Sequence, residues 1–243
     1  MPTVLTPEEL ERVLVVTAHP DDVDFGVSGT VAALVQAGVE VSYCICTDGD
    51  AGGFDPAVPR SEIPRIRREE QTAAAKAVGV SDVRFLGWSD GRLEPSFELR
   101  RDITRVIRQV RPQRVITSSP EYHWDRLPAM HPDHRAAGEA TVDCVYPDAR
   151  NPFTHVELLR DEGLEAWTVR ELWLMGHEHA DHAVDVTDQF DRKIAALRAH
   201  ESQTAHMPDL EGFLRQWMSA SAKAFGMPDG RLAETYRTIV CPP

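Results

Sequence analysis

The chain has 243 residues, 42% of them hydrophobic, enough to bury the core of one large α/β domain without requiring a second. Its 39 acidic residues against 26 basic ones give a formal charge of −13, which argues against nucleic acid or an anionic membrane surface as a natural partner. Four cysteines, Cys44, Cys46, Cys144 and Cys241, make neither a CxxC pair nor a dense framework, so the expected compartment is a reducing cytoplasm. A polar opening over 1–12 and the lack of a long apolar run predict neither signal peptide nor membrane span.

Residues 13–17 read as a buried strand, an apolar run bounded by polar segments. A helix over 29–37 stops at Gly38, a strand follows over 39–46, and the Gly- and Asp-rich 47–56 is its exit loop. A longer helix is predicted over 63–78, ended by Gly79, and then a third strand over 83–88. Leu99, Ile103, Val106, Ile107 and Val110 fall at helical spacing ahead of Pro112, and 114–118 is the fourth strand. This alternation predicts right-handed crossovers and a Rossmann-like, three-layer α/β fold with a mostly parallel sheet. Past residue 146 the pattern loosens. There 147–168 reads as a loop-rich insertion with one helical piece, 172–175 and 184–186 as short strands around a His-rich loop, and 188–200 and 210–225 as helices. The whole of 1–243 reads as one domain, with a core of about 12–145 and a C-terminal elaboration over 146–243.

Two segments carry the chemistry. His19-Pro20-Asp21-Asp22 follows the first strand, and His131-Pro132-Asp133-His134 lies beyond the fourth. Ligands of such sheets bind past the carboxyl ends of the strands, so both segments reach the same edge. His19, Asp22 and His134 then make a three-ligand metal site with a position left for water, as catalytic zinc requires; the donor types also suit iron, manganese, cobalt or nickel. Asp21, beside a ligand but pointing elsewhere, is the candidate general base. Protonated His131 is placed to stabilise an oxyanion or protonate a leaving amine, with Asp133 as the partner that orients it. The cluster His177, His179 and His182 is not HExxH and reads as a polar loop at the pocket rim or a subunit contact. His123, His155, His200 and His206 read as surface or packing residues. The run from Gly26 to Gly29 lacks GxGxxG spacing, which argues against a dinucleotide cofactor.

At these residues the chain resembles the LmbE/PIG-L family of metal-dependent de-N-acetylases. The likeness runs through Ala18-His19-Pro20-Asp21-Asp22, Gly26 to Thr30 and His131-Pro132-Asp133-His134, with a weaker echo at Lys193-Ile194 and His200-Glu201-Ser202-Gln203. It implies zinc on His19, Asp22 and His134, Asp21 as base, His131 as electrostatic or acid group with Asp133 behind it, and a homo-oligomer, trimeric or hexameric. It also implies that Arg67, with Arg68 as its substitute, binds substrate and that Asp90 binds sugar hydroxyls. Thiol-pathway members carry a tyrosine where this chain has Ala129, so phenolic help to an oxyanion either comes from elsewhere, with Tyr122 the candidate, or is absent. Val23-Asp24 after the first motif looks closer to the sugar-deacetylase and bacillithiol-type branches. The expected activity is zinc-dependent removal of an acetyl group from an N-acetylated amino sugar, such as an N-acetylglucosaminyl conjugate. The alternative is an amidase acting on larger N-acyl or thiol S-conjugates with the same site.

Overall fold

The structure, a computed structural model, describes residues 4–241; the side chains of Pro128 and Ala129 lie outside the described residues. Its centre is one seven-stranded sheet. Strands β1 (Arg12–Thr17), β2 (Glu40–Thr47), β3 (Asp82–Trp88), β4 (Arg114–Ser118) and β5 (Glu171–Met175) run parallel in the order β3-β2-β1-β4-β5. Beyond β5 the sheet turns antiparallel, with β7 (Ala233–Val240) paired between β5 and β6 (His182–Asp185).

Pleat alternation divides the core in two. Val13 and Val15 face one side with Tyr43, Ile45 and Ile116, under helices α2 (Ser28–Gln36), α3 (Ile63–Val78) and α7 (Phe190–Ala199). Leu14 and Val16 face the other with Cys44, Cys46 and Val115, under α4 (Phe97–Val110) and α5 (Pro132–Asp143). Val13 to Val16 are fully buried because both faces are covered, which is why β1 reads as an unbroken apolar run. Short helices α1 (Asp22–Gly26), α6 (Val156–Glu162) and α8 (Glu201–Thr204) fill the connections. A third apolar cluster joins α7 to α9 (Leu210–Ala224) through Ile194, Leu197, Leu214 and Met218. Among the described residues no helix is long and apolar enough to cross a membrane.

The predicted elements of the first half fall where expected. α3 spans Ile63–Val78 and ends on Gly79, whose φ of +90° takes the left-handed cap that residues with a Cβ avoid. The second half departs from expectation in one strand, β7, which carries Glu234 at its second position, Thr235 beside it and Arg237 beyond. A charge inside a strand breaks the apolar signature, and this one is buried by pairing with Lys193. Residues beyond 146 therefore extend the same sheet through β5, β6 and β7.

Because the chain leaves β1 for β2 and β3 on one side and then returns to β4 on the other, the loops after β1 and β4 part, opening a crevice at their carboxyl ends. α5 must lie close against β4 to deliver its first turn into this crevice. Gly138 permits that approach, since a Cβ there would stand 2.3 Å from the Ser118 carbonyl oxygen. Gly138→Ala is therefore expected to lower unfolding stability by about 1–3 kcal/mol, outweighing about 1 kcal/mol of gained helix propensity. Urea denaturation checks this, and an unchanged or raised midpoint would contradict the packing assigned to α5.

Candidate active site

The loop after β1 carries His19 to Asp21, and α1 begins at Asp22. His131 is the N-cap of α5, its Nδ1 accepting the Asp133 backbone N–H at 3.2 Å, so that His134 stands on the first turn. These two segments meet. His134 Nε2 lies 3.2 Å from His19 Nδ1 and 2.9 Å from Asp22 Oδ1, while Asp22 Oδ2 lies 3.5 Å from His19 Nδ1. A tetrahedral ion with ligands at ~2.0–2.2 Å holds its donors ~3.3–3.6 Å apart, so this donor set fits one.

The other edge of the His19 ring is occupied. Its Nε2 lies 3.0 Å from Asp90 Oδ1 and 3.2 Å from Asp133 Oδ2. Asp133 is in turn fixed by the backbone N–H groups of Gly91 and Leu93, at 2.7 and 3.2 Å. A proton on Nε2 facing two carboxylates leaves Nδ1 with the lone pair a metal ligand needs. His19, Asp90 and Asp133 form a second cluster of donors, as do His19, His131 and His134. The first of these is wholly buried, and its Asp133 oxygens are already engaged by N–H groups. The open side of the site is the one bounded by Asp22 and His134.

Charge follows this arrangement. Burial alone would lower the His19 pKa, but the Asp22, Asp133 and Asp90 carboxylates prevail and push it up to about 12, so that a cation binding at Nδ1 would displace a proton from it. Burial opposes ionisation of Asp22 as well, yet the His134 and His19 imidazoles hold it well below the usual carboxylate range. Asp21 is pushed up to about 6 by burial, with the neighbouring Arg67 guanidinium opposing and the Asp22 charge adding to the rise. His131 is lowered, by burial first and then by the positive charge on His19 and His134.

Asp21, Asp22 and His134 line a cavity of about 380 Å³. Its lining includes the apolar side chains of Phe25, Met130, Met175, Trp217 and Met218, and Arg126 lies 5.1 Å over the Trp217 ring. His177 is also part of the lining and lies 3.1 Å from Glu121. Tyr122 is absent from the lining and stacks instead on Trp124. The wall contributed by α9 and by Arg126 went unforeseen in the sequence, where a helix at ordinary spacing gives no sign of what it faces.

Three expected roles take a different form. Asp133 engages His19 rather than His131, because the His131 ring is already spent capping α5 and the Asp133 side chain reaches back to the turn at Gly91. Arg67 is only 3% exposed and outside the cavity lining. It pairs with Asp21 Oδ1 at 3.1 Å, donates to the carbonyls of Pro20 and Gly49, and occupies space that a Cβ on Gly49 or Gly52 would fill. Asp90 likewise faces His19. Arg68 points elsewhere, to Asp48 at 2.6 Å.

The floor beneath this loop is a buried ion pair. Lys193 Nζ donates to the Asp24 and Phe25 carbonyls and to Glu234 Oε1, each at 2.8 Å. Glu234 accepts from the N–H groups of Gly29 and Thr30 at the start of α2, at 3.0 and 2.7 Å. One pair thus satisfies the end of α1 and the beginning of α2.

Residues 14–145 match the family model described as PIG-L, GlcNAc-PI de-N-acetylase. The chain is 30% identical to a diacetylchitobiose deacetylase of Thermococcus kodakarensis, over 96% of this chain and 87% of the relative. It is 36% identical to a probable N-acetyl-alpha-D-glucosaminyl L-malate deacetylase 2 of Bacillus cereus, over 82% of this chain and 86% of the relative. Its fold matches the N,N'-diacetylchitobiose deacetylase of Pyrococcus horikoshii with a TM-score of 0.87 and 30% identity, covering 96% of this chain and 85% of that one. The chain belongs to the LmbE/PIG-L family of de-N-acetylases, hydrolases of an amide carbon–nitrogen bond.

Removing one partner of the buried pair leaves the other charged and unpaired. Lys193→Met is expected to cost about 3–5 kcal/mol in chemical denaturation, and adding Glu234→Gln should recover part of it. A loss below about 1 kcal/mol, the size of an exposed ion pair, would contradict the role assigned to Lys193.

Proposed function

We propose that the chain removes the acetyl group from an N-acetylglucosaminyl conjugate, using a zinc ion held by His19, Asp22 and His134. The observation that carries this reading is the convergence of those imidazole nitrogens and carboxylate oxygens at separations of 2.9–3.5 Å beside the cavity. A volume of about 380 Å³ lies within the range of small-molecule sites, and the apolar side chains in its lining, Trp217 among them, suit the faces of a sugar ring. Relatives named for N-acetylglucosamine-containing substrates support the same choice. The unpaired, buried Cys44, Cys46 and Cys144 suit a reducing cytoplasm, and a homo-oligomer is the assembly that family resemblance implies.

When bound, the ion supplies a Lewis acid for the acetamide carbonyl and lowers the pKa of water. Arg67 holds Asp21 Oδ1, which leaves Oδ2 to accept the proton of the attacking water. His131 accepts a hydrogen bond on Nδ1, so its neutral ring carries the proton on Nε2, where it can offer a hydrogen bond to the carbonyl oxygen as charge develops there. Water adds to the acetamide carbon, the carbon–nitrogen bond breaks as the proton taken up by Asp21 passes to nitrogen, and acetate and a free amine leave.

Elemental analysis with steady-state kinetics on N-acetylglucosaminyl conjugates tests this. About one zinc per chain is expected, with activity lost to a chelator and restored by zinc. Asp22→Ala and His134→Ala should lose the metal, whereas Asp21→Ala should keep it and lose ~10²–10⁴ in kcat. Near-normal turnover of Asp21→Ala, or of metal-stripped protein, would refute the reading.

A further inference from the structure

Asp21 sits at φ +97°, in the left-handed region where a residue with a Cβ is strained. Arg111 and His155 are the other non-glycine residues found there among the described ones. Such a conformation persists only where its surroundings hold it against relaxation.

The surroundings here are specific. The Asp21 backbone N–H donates to Gln71 Oε1 at 2.8 Å. The Gln71 amide nitrogen donates to Asp24 Oδ2 at 2.9 Å, and the same oxygen faces His200 Nε2 at 2.8 Å. A donor on one side and a carboxylate on the other fix which end of the Gln71 amide is oxygen. Gln71, Asp24 and His200 are all fully buried, and none lines the cavity. His200 comes from the junction of α7 and α8, which is tied to α3 by Ser202, whose N–H and hydroxyl both donate to Glu70 at 2.7 Å. The chain of hydrogen bonds thus begins on a distant helix end and finishes on one peptide group, that of the strained residue. Arg67 holds the same residue from the other side, through the Pro20 carbonyl and Asp21 Oδ1.

We infer that Gln71, Asp24 and His200 are positioning residues that keep the Asp21 peptide left-handed and so aim its carboxylate into the cavity. The inference rests on the reading of Asp21 as general base. Without the Gln71 acceptor the peptide relaxes towards an ordinary φ, and the carboxylate swings away from the water it must deprotonate.

The test is a double-mutant cycle on the zinc-loaded protein. Gln71→Met, close in shape but unable to accept from Asp21, is expected to lower kcat ~10–100-fold, the scale of a misplacement of about 1 Å. KM should stay within about twofold and zinc content should not change, because neither binding nor ligation is touched. In the Asp21→Ala background the same substitution should cost nothing further, since no carboxylate remains to be aimed. His200→Leu should act in the same direction, and His200→Gln, which keeps a donor for Asp24, should recover most of the loss; this pair decides the matter if Gln71→Met does not fold. Equal losses with and without Asp21, or a loss confined to KM or zinc content, would overturn the inference alone. Near-normal turnover of Asp21→Ala by itself would remove the general-base reading, and the inference with it.

Discussion

The His19 imidazole is the joint on which the site turns. One ring edge is held by Asp90 and Asp133 and the other faces Asp22 and His134. Those four partners come from the loop after β3, the start of α5 and the start of α1. No short stretch of chain can supply both edges. The ring's tautomer is therefore a consequence of the tertiary fold, and the fold is specified where β1 and β4 lie side by side in the sheet. Burial makes the carboxylates' hold strong, since the same charges in water would be screened to little effect.

Behind that joint stands a polar interior that a smaller domain would not need. Lys193, Glu234, Asp24, Gln71 and His200 are all buried and all hydrogen-bonded to groups in or beside α1 and α2. Buried charges and amides are costly unless satisfied, and replacing them by apolar groups often stabilises a fold. Their placement beneath the loop that carries Asp21 is in keeping with a machine that gives up some stability for a fixed geometry. It also explains why residues beyond 146 matter to a site whose histidine and aspartate donors precede them: β7 and α7 form the floor on which that loop rests.

Much of this was legible in the sequence. A tetrad directly after an apolar run is constrained to one edge of the sheet, which places His19 and Asp22, and the helix that follows β4 brings His134 to the same edge on its first turn. α3 could be bounded at both ends because Gly79 announces its own conformation. Other features depended on contacts that no local pattern encodes. β7 was hidden by Glu234, a charge that becomes tolerable only once Lys193, 41 residues earlier, is beside it. His200 read as a packing residue because a lone histidine at a helix end has no spacing to interpret, yet it meets Asp24 across 176 residues. Asp133 was assigned to its neighbour His131, and only the turn at Gly91 reveals why its carboxylate lies on His19.

On the proposed reading, one divalent cation would be held by His19 Nδ1, His134 Nε2 and Asp22 beside the cavity. Anomalous diffraction from a zinc-loaded crystal measures this directly. A single strong peak is expected about 2.0–2.2 Å from those three donors, with Asp21 within one water of it. A peak among His19 Nε2, Asp90 and Asp133, or no peak within bonding distance of His134, would contradict the account.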